Sequence, residues 1–282
     1  MLDSKKMQIP RKIRLRFRGE YGAGRLNYDL FEGSPVDSFN SLQLRAVYNN
    51  SWIHWNSGQQ HRGTLIRDQF IRDSLLAMGQ DDAQRGTYAH LYLNGLYWGV
   101  YNVHERADSA HYAEYHGGNP DEYDGLNGGA ANDGNTQSYN AMRNTVTSRD
   151  WLAIQEVLDV DNYIDWTIVQ AYGGNADLKF DGNWRVAGGG SADGIWRIYA
   201  WDSERIFEDV TDQPPSAMLD PLSILDDLVR IPEFVTRFGD RLQKHFFNDG
   251  ALTPDAVEER WNARADELRN AIVAESARWG DY

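Results

Sequence analysis

The stretch YAHLYLNGLYWGVYNVHER, at residues 88–106, decides the fold of the first half of the chain. Aromatic and apolar residues alternate on both sides of Asn94-Gly95, the dipeptide that most readily adopts the two positive φ angles of a type I′ turn. The stretch therefore predicts a β-hairpin whose second strand delivers Glu105 at its end. A carboxylate at the end of a rigid hairpin is well placed to contact a ligand.

Further elements are predicted on both sides of this hairpin. Alternating segments predict strands at 13–18 and 42–47, and apolar residues at helical spacing predict a helix capped by Thr64 and stopped by Gly79. Residues 116–138 are rich in Gly, Asn and Asp and are predicted to be loop. The second half is predicted to be mainly helical, with one hairpin. Its predicted helices are 150–157, 161–172, 222–229, 232–247 and 253–279, and its hairpin strands are 184–186 and 195–201.

Composition narrows the classes of protein. The chain has 282 residues, of which 41% are hydrophobic, enough for one large domain or two lobes. Its formal net charge of -14 argues against a nucleic-acid partner, because excess carboxylates repel a phosphate backbone. No apolar run approaches the ~20 residues that cross a bilayer. Cysteine is absent, which excludes disulfides and thiolate nucleophiles in this sequence.

Two acidic clusters in the second half carry the candidate chemistry. They are GGNADLKFDGN at 173–183 and WDSE at 201–204. Asp177 and Asn183 lie on a predicted loop, whereas Asp202 and Glu204, two apart at a strand end, are predicted to point to the same side. Such oxygen ligands suit Mg²⁺ in a phosphoryl-transfer site, and Glu105 is predicted to meet them in one cleft. The same residue types are also ordinary turn formers and helix caps, and spacing does not separate the two interpretations.

Several long motifs cover nearly the whole chain. They are RLRFRGEYG at 14–22, LQLRA at 42–46, LIRDQFIRDSLLAMG at 65–79, LYLNGLYWGVYNVHER at 91–106, LDVDNYIDW at 158–166, GNAD at 174–177 with Asn183, WRIYAWDSE at 196–204 and AESARWGD at 274–281. In this order they resemble the CotH kinase family, the family of spore coat protein H, whose members are secreted or surface-associated atypical protein kinases and bacterial surface proteins.

The resemblance implies an α+β, two-lobed, atypical protein-kinase-like fold. It implies an antiparallel sheet in a strand-rich first lobe, expected at 1–130, and a mainly helical second lobe with the metal site, expected at 131–282. The family domain normally has more sequence before the first strand, so we expect the first lobe to be truncated at its N-terminus. The implied location is the cell surface, the spore coat or the extracellular space.

The resemblance also assigns roles to individual residues. It implies that Asp177 is the catalytic-loop acid, that Asn183 and Asp202 hold Mg²⁺ or Mn²⁺, and that Glu105 faces the nucleotide. Glu204 stands at a further metal position in a W-D-x-E pattern. The implied reaction transfers the γ-phosphoryl group of ATP to a hydroxyl group of a protein substrate.

One departure from the family pattern concerns a phosphate-binding lysine. Asn127 in DGLNGG stands where members usually have lysine, and Lys12 is the remainder of a second lysine-rich segment. Without that charge, nucleotide binding and transfer are expected to weaken unless Lys12, Arg106 or Lys179 replaces it. Two alternatives therefore stay open. One is an inactive kinase-like structural module of a coat or surface, and the other is a carbohydrate-binding or carbohydrate-cleaving protein with Asp177 and Asp202 as an acid and base pair.

Overall fold

The computed structural model describes residues 12–46, 50–178, 182–211 and 221–280. Helices and antiparallel sheets occur together, as expected of an α+β protein. The strands are β1 Ile13–Arg16, β2 Leu26–Asn27, β3 Ser38–Phe39, β4 Ser41–Arg45, β5 Gly86–Leu93, β6 Leu96–His104, β7 Asp124–Asn127, β8 Ala130–Asp133, β9 Trp184–Gly189 and β10 Gly194–Ala200. The α-helices are α1 Ser57–Gln60, α2 Arg67–Ala77, α3 Ser109–His116, α4 Gln137–Ser148, α5 Trp151–Val157, α6 Val160–Tyr172, α7 Leu225–Leu228, α8 Pro232–Phe246, α9 Pro254–Leu268 and α10 Ala271–Trp279.

Contacts divide the described residues into two compact units that alternate along the chain. Unit 1 comprises the described residues within Met1–Phe70, Arg85–Arg106 and Glu259–Tyr282. Unit 2 comprises those within Ile71–Gln84 and Ala107–Glu258. The expected boundary near residue 130 and the two-lobed kinase-like arrangement stay predictions.

The main sheet of unit 1 has the strand order β1-β4-β6-β5 and is antiparallel throughout. The predicted hairpin is confirmed as β5 and β6, and its turn residues Asn94 and Gly95 have φ of 51° and 80°. The sheet packs on an apolar cluster of Leu65, Ile66, Val100 and Leu268, so the last helices of the chain complete this unit.

The helix predicted from Thr64 begins later, at Arg67. Thr64 is not its cap, because its backbone N–H and its hydroxyl both donate to the side-chain oxygen of Asn50, and Leu65 then adopts a left-handed φ of 65°. The predicted stop at Gly79 is confirmed. Gly79 has φ of 93°, and the next N–H, of Gln80, donates to the carbonyl of Leu75.

The sheet of unit 2 has the order β10-β9-β7-β8 and corrects the prediction of a loop at 116–138. Those residues form a 3₁₀ turn at Pro120–Glu122 and the hairpin β7–β8, and the next helix, α4, was not predicted. Gly128 and Gly129, with φ of 57° and 80°, form the hairpin turn. Local composition predicted loop, but antiparallel pairing of β7 with β9 fixes this segment as strand.

The later helices follow the predicted ranges closely, with one exception. The helix expected at 253–279 is broken between Leu268 and Ala271 into α9 and α10, although the sequence has neither glycine nor proline there. The predicted glycine-rich hairpin is confirmed and is longer than expected, because β9 continues to Gly189. Val47, the end of the strand predicted at 42–47, lies outside the described residues, as does Lys179.

Candidate functional site

The two acidic clusters lie together in unit 2. The turn after α6 is joined to the segment after β10 by two backbone hydrogen bonds: Ala176 N–H donates to Arg205 carbonyl oxygen (3.2 Å), and Phe207 N–H donates to Gly173 carbonyl oxygen (2.8 Å). A buried side-chain bond from Gln170 Nε2 to Ser203 Oγ (3.0 Å) ties the same two segments. The loop carrying Asp177 and the segment carrying Asp202 are therefore neighbours.

Hydrogen bonds fix the backbone at Asp177 and link Asn183 to it. The N–H of Asp177 donates to Asn175 Oδ1 (3.1 Å), a side-chain turn that fixes the backbone before the acid. Asn183 Nδ2 donates to the carbonyl oxygen of Asp177 (3.0 Å). Because the amide nitrogen is used in this way, the carboxamide oxygen of Asn183 is the atom left to act as a metal ligand.

Arg205 was not among the predicted site residues, yet it contacts the predicted acid. Its Nη1 lies 3.7 Å from Asp177 Oδ1, and two of its other nitrogens form a fork on the carboxylate of Glu208. The hydrogen bonds from Arg205 to Glu208, together with the charges of Glu208, Asp177 and Glu204, outweigh partial burial and raise the pKa of Arg205. The acid therefore lies beside a permanent positive charge. The WDSER sequence contained this arginine, but only the fold shows which loop it meets.

Asp202 and Glu204 are not presented by a strand. β10 ends at Ala200, and Asp202 has a left-handed φ of 62°, so the strand expected to carry both residues ends before them. That their side chains point to one side stays a prediction. Asp202 is half-buried, whereas Glu204 and the intervening Ser203 are buried. Half-burial leaves Asp202 the more accessible of the two carboxylates.

The remaining predicted residues lie in different parts of the molecule. Glu105 follows β6 in unit 1, is only 1% exposed, and accepts the backbone N–H of Arg85 at Oε2 (2.7 Å). Lys12 lies just before β1 in unit 1 and is exposed. Asn127 ends β7 in unit 2. The convergence of Glu105 with the acidic loops of unit 2 stays a prediction.

Oxygen donors near the acidic loops are candidates for binding a divalent cation. Among the described residues no group of three or more His, Cys, Asp or Glu side chains is arranged to hold a metal. A Mg²⁺ site needs fewer carboxylates than such a group contains. This ion keeps several waters and binds one or two carboxylates together with other oxygen donors. The carboxylate of Asp202 and the carboxamide oxygen of Asn183 are hard oxygen ligands of this kind. Their chemistry suits such an ion, and the two residues flank the paired ends of β9 and β10, where Trp184 lies opposite Ala200.

Arg185, on β9, is a second cation that the sequence analysis did not single out. It is 5% exposed, and its guanidinium carbon lies 3.9 Å from the centre of the Trp201 ring. Its Nη1 donates to the carbonyl oxygen of Ala107 (3.4 Å). Arg185 is two residues from Asn183 in sequence, and the ring that it stacks on belongs to Trp201, which directly precedes Asp202.

A charged network lies next to Arg185 on the same sheet, because Tyr199 is directly opposite Arg185 and Arg197 is opposite Ala187. Arg197 Nη2 donates to Asp82 Oδ1 (2.9 Å), and its Nη1 contacts Asp159. Asp82 also accepts the hydroxyl of Tyr199 (2.7 Å) and lies 3.0 Å from Nε2 of His116. These residues come from four separate regions of the chain. No local sequence pattern could have predicted them.

A comparison with protein families identifies the family of the chain. The model of the family described as CotH kinase protein matches residues 15–282, nearly the whole chain. The chain therefore belongs to the CotH kinase protein family and is a kinase-like protein. A search of curated proteins gives no match. Among the described residues, no helix combines the length and apolar character needed to span a membrane.

Proposed function

We propose that this chain is a Mg²⁺-dependent protein kinase domain that transfers the γ-phosphoryl group of ATP to a hydroxyl group of a protein. Family membership supports the reaction class. The observation that carries the proposal is the pairing of the Asp177 turn with the Asp202 segment, because a phosphoryl-transfer site needs an acid for the acceptor and a metal ligand for the phosphates side by side.

In this proposal the chain's own residues have distinct tasks. The carboxylate of Asp177 orients the acceptor hydroxyl and takes its proton as the new oxygen–phosphorus bond forms and the bond to the β-phosphate oxygen breaks. Asp202 and Asn183 hold Mg²⁺ or Mn²⁺, and Glu204 supports them from its buried position. A bound divalent ion neutralises charge on the phosphates. Glu105, Lys12 and Asn127 are proposed to face the nucleotide.

Arg205 bears directly on the role of Asp177. A guanidinium 3.7 Å from Oδ1 stabilises the ionised carboxylate, the form that can accept a proton. The fork on Glu208 fixes the arginine, so the acid is held in one place before a substrate arrives. We propose a protein substrate at a cell surface or spore coat.

A kinase-like module without transfer is the second candidate function. The observation that favours it is Asn127, a neutral residue at the end of β7 where the family pattern has a cation. The carbohydrate-directed alternative stays a prediction from the sequence. Its test is a change in melting temperature on titration with sugars in place of MgATP, since a ligand of the native state raises apparent stability.

The direct test of transfer uses radiolabelled ATP with Mg²⁺ and a generic acceptor protein. We expect labelled acceptor with the unaltered chain and a loss of at least about 100-fold with Asp177→Ala, the size typical of a general acid–base residue. Asp193→Ala, which removes a carboxylate from the 3₁₀ turn after β9, is the matched control and is expected to leave transfer unchanged. Equal labelling by the unaltered chain and Asp177→Ala would contradict the proposal.

A further inference from the structure

We infer that an open groove between α5 and α8 in unit 2 binds a neutral carbohydrate, with the ring of Trp151 as the surface on which a sugar packs. The inference goes beyond the proposed function and uses none of the residues of the acidic loops. The groove has a volume of about 440 Å³, within the range of sites that take small molecules. Trp151 and Gln155 line it from α5, and Glu233, Arg237 and Asp240 line it from α8.

Helical spacing places these side chains along the two walls of the groove. Trp151 and Gln155 are four residues apart and therefore share one face of α5. Glu233, Arg237 and Asp240 occupy positions i, i+4 and i+7 of α8, which also form one face of a helix. The groove thus has an aromatic wall on α5 and a charged wall on α8.

Both walls are held by hydrogen bonds within the fold. The carboxylate of Asp150 caps α5 by accepting the N–H groups of Leu152 (3.1 Å) and Ala153 (3.2 Å), which fixes the turn that carries Trp151. Arg237 forms a fork on the carboxylate of Asp161 at the start of α6 (2.6 and 2.8 Å). A ligand therefore does not have to order these walls, and that ordering is one of the costs that weaken binding.

Trp151 differs from the tryptophans that fill the core of this unit. Trp166, Trp184 and Trp196 are at most 2% exposed, whereas Trp151 is half-buried and lines the groove. Its indole N–H forms no hydrogen bond within the part of the chain that the structure describes. A sugar ring has a face of C–H groups that packs on an aromatic surface, and its hydroxyls project to the sides, where the indole N–H can donate to them.

The mixture of polar groups selects the class of ligand. Among the described residues, the carboxylates of Glu233 and Asp240 form no hydrogen bonds and are available as acceptors. Arg237 uses Nε and Nη2 on Asp161, which leaves Nη1 as a donor. Hydroxyl groups both donate and accept, so a sugar matches donors and acceptors together. An organic cation only donates, and an anion is repelled by the two carboxylates.

The test is saturation-transfer NMR of the full chain with cellobiose, maltose, lactose, mannobiose and N,N′-diacetylchitobiose. We expect at least one of these sugars to bind. Trp151→Ala should bind it at least about tenfold more weakly, and Glu233→Ala several-fold more weakly. Trp55→Ala is the matched control. It removes a tryptophan of unit 1 that is 78% exposed and lies outside the groove, and it should leave sugar binding unchanged.

Glu233 is exposed, so Glu233→Ala tests the groove even if Trp151→Ala does not fold. The inference is wrong if none of the sugars binds the unaltered chain, or if binding is unchanged in a folded Trp151→Ala or Glu233→Ala protein. An oligoarginine peptide that binds and is weakened by both substitutions, while no sugar binds, would overturn it in favour of a basic peptide. Each of these results leaves the proposed function untouched, because MgATP binding and phosphoryl transfer are measured separately.

Discussion

Asp82 illustrates how single buried charges hold the sheet that carries the candidate site. Burial alone raises the pKa of its carboxyl, but the hydrogen bond with His116 and the charges of Arg197 and His111 outweigh burial. The pKa of Asp82 therefore lies well below its usual value. A group with a lowered pKa contributes stability fully above the pKa of the unfolded chain, about 3.9, and that contribution is lost as pH falls through the folded-state value.

This residue gives a prediction for pH-dependent stability. Asp82→Asn should lower the free energy of unfolding at pH 7 by about 3 kcal/mol. The reason is that Arg197 stays buried but loses one of its two charged partners among the described residues and keeps only Asp159. The deficit should shrink as pH falls below about 4, where the unaltered protein begins to lose the same contribution. Urea unfolding at a series of pH values measures it.

The control for Asp82→Asn is Asp266→Asn. Asp266 pairs with Arg269 on the exposed surface of unit 1, so its loss should change stability by less than about 1 kcal/mol at any pH. A constant deficit for Asp82→Asn from pH 7 to pH 3 would contradict the charge-pair account.

At the residue scale, the sequence predicts contacts between residues that are close in the chain and does not predict contacts between distant residues. Asp177 and Asn183 were predicted to act together because six residues and flanking glycines keep them on one loop, and they do share a hydrogen bond. Asp82 and Arg197 are 115 positions apart, and nothing in the sequence around either residue indicates the other. The contact of Arg205 with Asp177 likewise depends on how two loops pack.

At the scale of elements, most of the longer helices were predictable, whereas α3, α4 and the β7–β8 hairpin were not. A strand of DGLN has no apolar alternation, so only its pairing with β9 reveals it. Glycines on β9 allow that sheet to pack closely. Gly188 has φ of 140°, and a Cβ placed there would lie 2.5 Å from the carbonyl oxygen of Ile195.

Gly188→Ala should therefore destabilise the protein by roughly 2–3 kcal/mol, through an unfavourable backbone angle and a collision with the neighbouring strand. Gly239→Ala is the matched control. Gly239 lies in α8 with open space around it, and alanine there should stabilise the fold by about 0.5–1 kcal/mol. Denaturant midpoints compare the two. A Gly188→Ala protein as stable as the unaltered chain would show that the strand shifts without cost.

At the scale of the whole molecule, each compact unit combines segments that are far apart in sequence. The resemblance of long motifs implied the α+β class, whereas the predicted helices came from local apolar patterns. The interleaving of the two units could not be predicted from local patterns. It follows from long-range contacts that bring the last helices of the chain to the first sheet.

We propose that the paired acidic loops of unit 2 hold a metal ion together with the phosphates of ATP. Calorimetric titration of ATP, with and without Mg²⁺, into the unaltered chain and Asp202→Asn tests this proposal. We expect Mg²⁺-dependent binding by the unaltered chain and at least about tenfold weaker binding by Asp202→Asn, whose neutral amide is a poorer ligand for a hard cation. ATP binding that is indifferent to Mg²⁺, or equal in the two proteins, would contradict the account.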